Sequence, residues 1–334
     1  MIPLQREPKE RKRIIERLRK EVFRVDTTLI RDIPHFHEWI ELEELTGGNS
    51  KECKYRLIDA KGQTCILRVS QVDRFHLKHQ EYANLVRLEP FNLNIPKPLQ
   101  FGLCNGGSNL YMLLSWIEGI TVASQLPTIS EVEQFNLGER CGSTLYDLHR
   151  FSSVRSSMDW SQRYREIEQD ILLKYTQSPI RLYNEALGFS YLEKHRPLLK
   201  NRPLVIKHGD YHASNLIVTP NNSIGIIDFD RCMISDPYEE FAILVWTAEH
   251  HPAFARGQIA GYFQNQIPED FFPLLAYYIT VYAFEHVSWA LSYGKHSAET
   301  IQKTAEGLID LYEGYRYLQP KWYPSSTRQA LEGS

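Results

Sequence analysis

Apolar and polar residues alternate along the first third of the chain, and the rhythm changes after it. Trp39 to Leu45 and Cys53 to Ile58 read as β-strands joined by the turn-rich stretch Thr46 to Lys51. Thr64 to Ser70 reads as a third strand. There the two-residue period puts Cys65, Leu67 and Val69 on one face and Ile66 and Arg68 on the other. A helix is predicted over Gln71 to Leu88, carrying Glu81, and the prolines in Ile95 to Leu99 end helical structure. Strands around Leu99 to Leu103 and Leu110 to Leu114 complete a small antiparallel sheet. From Glu131 the spacing becomes helical: Glu131 to Leu148, Gln162 to Tyr175, a segment within Ile180 to Leu199, and several helices from Glu239 to Tyr317. Val205 to Asp230 interrupts this run with two short apolar strands, Asn215 to Val218 and Ile224 to Asp228, around a hairpin tip at Asn221 and Asn222.

At 334 residues, length suggests two domains, and no internal repeat is present. The boundaries expected are 1–115 for the strand-rich part, 116–119 for a connecting hinge and 120–334 for the helical part. Before the first strand, residues 1–24 hold nine basic and four acidic side chains, with Ile14, Ile15, Leu18 and Val22 at helical spacing. That stripe is narrow, so the segment reads as a solvated helix laid on the first domain rather than a membrane or nucleic-acid contact. The last residues, 325–334, read as a frayed end.

Charge and cysteine content narrow the function classes. A net charge of −3 argues against general nucleic-acid binding. Five scattered cysteines without a CxxC pair argue against a zinc site or disulfide framework and for a reducing compartment. No stretch has signal-peptide character, and Phe271 to Phe284 is too short to span a bilayer, so neither a membrane nor a nucleic acid is expected as partner. The expected location is the cytoplasm. Composition is silent on oligomeric state.

The chemistry concentrates in HGDYHASN, His208 to Asn215, and IIDFD, Ile226 to Asp230. With the hairpin centred between Asn221 and Asn222, Asn215 would stand opposite Asp228 on one face. An amide oxygen and a carboxylate so placed suit Mg²⁺, which takes oxygen ligands and keeps positions for water and phosphate. Asp210, five residues before Asn215, would then orient a hydroxyl and accept its proton. Each residue also has a plainer role open to it, in a turn, a cap or a strand-end hydrogen bond; it is the joint spacing that points to phosphoryl transfer.

These two segments resemble the catalytic loop and metal-binding segment of the aminoglycoside phosphotransferase family, relatives of choline kinases and eukaryotic protein kinases. The resemblance covers roughly residues 40 to 250. It implies an α+β, two-lobed protein-kinase-like fold with ATP or GTP between the lobes, Asp210 as catalytic base, and Asn215 and Asp228 as Mg²⁺ ligands. By the same match, Gly48, Asn49 and Ser50 belong to the turn over the nucleotide phosphates. Arg68 stands where the family often has a phosphate-contacting lysine, with Glu81 as its helix partner. In LLSWIEG the Ser115 carbonyl and the Ile117 N–H would face adenine, with Ile227 beneath it.

The acceptor is less legible. Asp236 is placed to cap the helix after Pro237, and Glu239 and Glu240 either favour that helix's N-terminus or face the cleft. Glu249 is a further candidate, as are His250, His251, Glu285, His286 and Trp289, though surface or packing roles suit these as well. The chain carries +3 up to residue 119 and −6 after it, which suits a cationic acceptor. The reading is a Mg²⁺-dependent small-molecule kinase, with an aminoglycoside or related antibiotic as first acceptor. Its rivals are a metabolite kinase of choline, homoserine or methylthioribose type and a non-catalytic nucleotide-binding protein on the same fold. A protein substrate is disfavoured, since no Ala-Pro-Glu segment lies between Asp228 and Trp246.

Overall fold

The computed structural model describes residues 26–46, 52–154, 158–294 and 296–323. The basic leading segment, Gly48, Asn49 and Ser50, and residues 325–334 lie outside them. The chain divides into two compact units, one running to Gly119 and taking in Gly225–Asp230, the other made of Ile120–Ile224 and the residues from Arg231.

The first unit is built on five antiparallel strands in the order β1-β2-β3-β5-β4: β1 Trp39–Glu44, β2 Cys53–Asp59, β3 Thr64–Gln71, β4 Pro98–Cys104 and β5 Asn109–Ser115. Alternation decides which face is dry. Tyr55, Leu57, Cys65, Leu67 and Val69 join Ile30, Trp39 and Leu42 in one core, where each fully buried aliphatic side chain contributes about 1.5 to 3 kcal/mol. The other face of β2 and β3 carries Lys54 and Arg68, which are direct cross-strand partners. Helix α1, Phe75–Leu88, follows β3 after a 3-10 turn at Val72–Arg74 and buries Lys78, Glu81, Leu85 and Leu88.

The second unit is mainly helical: α2 Glu131–Phe151, α3 Trp160–Gln177, α4 Glu185–His195, α5 Pro252–Tyr262, α6 Phe271–Tyr293 and α7 Ala298–Asp310. Their starts follow from capping chemistry. Ser130 and Glu133 form a reciprocal capping box on α2, Asp159 caps α3 and Ser297 caps α7. Helices α2 and α5 cross at backbone contact. A Cβ on Gly142 would sit 2.0 Å from the Gln258 carbonyl, and one on Gly261 2.0 Å from that of Glu139. Helix α6 is apolar nearly all round, with Phe271, Leu274, Tyr277, Ile279 and Phe284 inaccessible to solvent, as befits the central helix of this unit. No helix among the described residues is long and apolar enough to cross a membrane.

The interruption expected at Val205 to Asp230 is more elaborate than a hairpin. Strand β6, Ile120–Thr121, pairs with β8, Leu216–Val218, while β7, Val205–Lys207, pairs with β10, Met233–Ser235. The turn after β8 is closed by the Thr219 N–H donating to the Ser223 carbonyl, with Asn222 in a left-handed conformation at φ 63°. That closure is one residue off the expected register. Asn215 also precedes its strand, ending a 3-10 turn at Ala213–Asn215, and Asp228 follows β9, Ile224–Ile226, with φ 65°. The expected cross-strand pairing of Asn215 with Asp228 is therefore corrected: both residues stand on the segments that leave the ladder, where a side chain is not confined to one face of a sheet.

Candidate active site

In the second unit the catalytic-loop motif is held from below by one carboxylate. Glu240, 3% exposed, accepts the backbone N–H of His208 at 2.5 Å and that of Gly209 at 2.9 Å. His149 Nε2 lies 3.5 Å from the same carboxylate, and its Nδ1 meets the Tyr262 hydroxyl at 3.0 Å. Burial pushes the Glu240 carboxyl up, but His149, His208 and Lys207 outweigh it and hold the group below the usual range. Gly209 turns the chain at φ 82°, pressed so close to Arg231 that a Cβ would fall 2.4 Å from its carbonyl oxygen. The Asp210 N–H then donates to His208 Nδ1 at 3.2 Å.

The loop delivers Asp210 to Asn215. The Asn215 amide nitrogen donates to the Asp210 carbonyl at 3.0 Å and to its carboxylate at 3.1 Å. Since a carboxylate only accepts, this fixes the amide's nitrogen toward Asp210 and leaves its oxygen for another partner. Burial raises the Asp210 pKa, yet His212 at 3.5 Å and Arg231 at 3.8 Å bring it below the ordinary value. Asp210 is thus ionised at neutral pH.

In the first unit the face of β3 opposite the core is occupied by a buried ionic cluster. Arg68, 4% exposed, donates from Nη1 to Glu81 at 2.5 Å, and from Nη2 and Nε to Glu52 at 2.6 and 2.9 Å. Lys78 pairs with Glu52 and, at 2.8 Å, with Glu81, and Ser70 donates to Glu52 at 2.8 Å. Burial acts against ionised Glu52, but Arg68 and Lys78 prevail and bring its pKa down to about 2. Asp228 borders the cluster, 3.4 Å from Arg68 and 3.5 Å from Lys54. Its Oδ1 is buried and is held by the Arg68 charge at 3.4 Å rather than by a hydrogen bond. Burial, with Asp228 nearby, raises the Asp230 pKa.

Asp236 takes the capping role expected of it, and both it and Glu240 are buried. Asp236 is 0% exposed and caps the 3-10 helix Pro237–Leu244 by accepting the Tyr238 N–H at 2.9 Å; Arg202 at 2.6 Å and the Tyr278 hydroxyl at 2.8 Å satisfy the rest of it. Glu240, as above, supports the loop backbone. Glu239 pairs with Lys207 at 2.8 Å and contacts Ser235, while Glu249 is exposed. Arg68 differs from its expected exposure to phosphate, because its three nitrogens are already engaged by buried carboxylates. Ser115 ends β5, its N–H donating to the Lys97 carbonyl at 3.0 Å, and Ile117 and Ile227 are half-buried. Sequence reasoning missed Glu52, Lys54, Lys78 and the loop-holding role of Glu240. For Lys54 a signal existed, a lone lysine on the β2 face that pairs with Arg68.

An antiparallel sheet unit with a buried Arg–Glu pair and a helical unit that brings Asp210 and Asn215 together on one loop define a kinase-like phosphotransferase fold. The phosphotransferase enzyme family (APH) matches residues 41–272, well over half of the chain, and the chain belongs to that family. No curated protein sequence matches it. Among solved structures it is similar to a thermostable mutant of the aminoglycoside phosphotransferase APH(4)-Ia in apo form, with TM-score 0.62 and 18% identity over 86% of this chain and 97% of that one. A ternary complex of such a mutant with ADP and hygromycin B aligns with TM-score 0.61 and 18% identity, covering 81% and 92%. APH(3'')-Id from Streptomyces rimosus, in complex with ADP and streptomycin, aligns with TM-score 0.51 and 17% identity, covering 73% and 92%. At such identities the likeness establishes the shared fold.

Proposed function

We propose that this phosphotransferase moves the γ-phosphoryl group of ATP or GTP to a hydroxyl of a small molecule, with Mg²⁺ as cofactor. The observation that carries the reading is the Asp210–Asn215 pair on a loop whose backbone is tied down by Glu240. Asp210 is ionised, so it orients the acceptor hydroxyl and takes its proton as the oxygen attacks phosphorus and the bond to the nucleoside diphosphate breaks. Asn215 and Asp228 are the proposed Mg²⁺ ligands. Their chemistry fits a hard cation: the Asn215 oxygen is turned away from Asp210, and the Asp228 carboxylate has no contact shorter than 3.4 Å to the cations beside it, Arg68 and Lys54. Bound there, the ion would offset the charge of the phosphates. Ser115, Ile117 and Ile227 are assigned to the adenine side, and Gly48, Asn49 and Ser50 to the phosphate turn.

The acceptor proposed first is an aminoglycoside or related antibiotic, in line with the substrates held by the similar enzymes. This would make the protein a resistance factor, and we place it in the cytoplasm, where its five cysteine thiols, none of them in a disulfide, remain reduced. One observation favours the metabolite-kinase alternative. Of the five carboxylates considered for a polycation, Asp236 and Glu240 are spent inside the fold and Glu239 is paired with Lys207, leaving Glu249 and Glu285 exposed.

Transfer of label from γ-³²P ATP or GTP to a panel of aminoglycosides, choline, homoserine and methylthioribose decides between the acceptors. If none is labelled, and Asp210→Asn leaves nucleotide turnover unchanged, the catalytic assignment is wrong.

A further inference from the structure

The family position for a phosphate-contacting cation holds Arg68, yet Arg68 is fully engaged. Its Nη1 donates to Glu81, its Nη2 and Nε donate to Glu52, and 4% of the residue is exposed. To reach a phosphate it would have to abandon carboxylates that would be left buried and unpaired. Lys78 is committed in the same way to Glu52 and Glu81 and is 2% exposed. These two cations hold Glu52 and Glu81 ionised inside the protein and so belong to its framework.

Lys54 is placed differently. It stands directly opposite Arg68 in the β2–β3 ladder, so its side chain rises from the same face of the sheet, one strand away. Its Nζ approaches Asp228 at 3.5 Å, looser than a tight ion pair, and 18% of its side chain is open to solvent. Among the described residues, Lys54 and Arg68 are the cations within 4.0 Å of Asp228. A lysine ammonium is a mobile point charge on a four-carbon stem, able to move between a carboxylate and a phosphate without a fixed fork geometry.

We infer that Lys54, on the strand beside the usual one, is the residue that contacts the nucleotide phosphates in this protein, with Arg68 serving as the buried hub that positions Asp228 and Glu81. This rests on the phosphotransferase reading given above. It makes Lys54 a binding residue toward the nucleoside di- and triphosphate, and it reassigns Arg68 from ligand contact to support.

Calorimetric titration of the purified full-length protein tests it, using ADP with Mg²⁺ and, separately, adenosine, which lacks phosphates. Lys54→Ala and Lys54→Met, the latter keeping the apolar stem, are expected to weaken ADP about 10- to 100-fold while leaving adenosine affinity and the melting temperature unchanged. Lys54→Arg, which restores the charge, recovers part of the loss. Arg68→Lys is expected to lower the melting temperature, since a point charge cannot serve Glu52 and Glu81 from three nitrogens. Wild-type affinity for ADP in Lys54→Ala overturns the inference, as does an equal loss for ADP and adenosine. If the unmodified protein binds neither ligand, the phosphotransferase reading fails and this one falls with it.

Discussion

Glu240 grips the backbone of the loop that carries Asp210, accepting from Gly209, 31 positions earlier in the chain, at 2.9 Å. A buried carboxylate that takes two main-chain N–H groups sets where the next side chain begins. Glu240→Gln keeps the shape but offers one acceptor oxygen instead of two and loses the charge. We expect kcat to drop about 10- to 100-fold with nucleotide affinity intact, since a small displacement of a reacting group is enough for such a loss. Glu240→Ala strands both N–H groups and should lower stability by about 2 to 4 kcal/mol, read from urea unfolding midpoints.

Gly209 is the second part of that support. Its φ of 82° is costly for any residue with a Cβ, and the Cβ would meet the Arg231 carbonyl at 2.4 Å. Gly209→Ala is expected to destabilise the protein by about 2 kcal/mol or more and to depress kcat beyond what the unfolded fraction explains. Activity measured well below the melting temperature separates the two effects.

The loop itself was readable in the sequence because its functional residues are packed into eight positions, His208 to Asn215, whereas Glu240 lies far along the chain and declares its partner only by burial. Alternation in β3 correctly put Cys65, Leu67 and Val69 on one face, and burial then identifies that face as the core side. It placed Arg68 on the second face without revealing what covers that face, because a period of two distinguishes sides and says nothing of the neighbours. The strand drawn to Asp228 ran too long for a similar reason. Apolar residues continue through Ile227, but Asp228 takes a left-handed conformation, which aspartate tolerates better than bulky residues do.

Acid should act on the sheet unit through Glu52. Its folded pKa of about 2 lies below the ordinary 4.5, so its contribution to stability is complete above pH 4.5 and is lost as pH falls toward 2. A shift of that size corresponds to roughly 3 kcal/mol. Urea midpoints between pH 7 and pH 3 should therefore fall for the native protein and fall less for Glu52→Gln, which is already weaker at pH 7. Equal slopes for the two proteins would show that Glu52 is not the group being protonated.

In the proposed mechanism Asp210 and Asn215 divide the catalytic work, and the division can be measured. Asp210→Asn removes the proton acceptor but keeps a group of the same size beside Asn215, so transfer should fall about 10²- to 10⁴-fold while ADP binding persists. Asn215→Ala removes both the donor that orients Asp210 and a proposed Mg²⁺ oxygen ligand. It should lower kcat and also raise the Mg²⁺ concentration needed for half-maximal rate, a shift that Asp210→Asn leaves unchanged. The acid limb offers a second check. His212 and Arg231 hold the Asp210 carboxyl below its ordinary value despite burial. Replacing Arg231 with Gln takes away one of those charges and should move the acid limb of kcat/KM to higher pH. An unchanged limb in Arg231→Gln would assign the titration to a group other than Asp210.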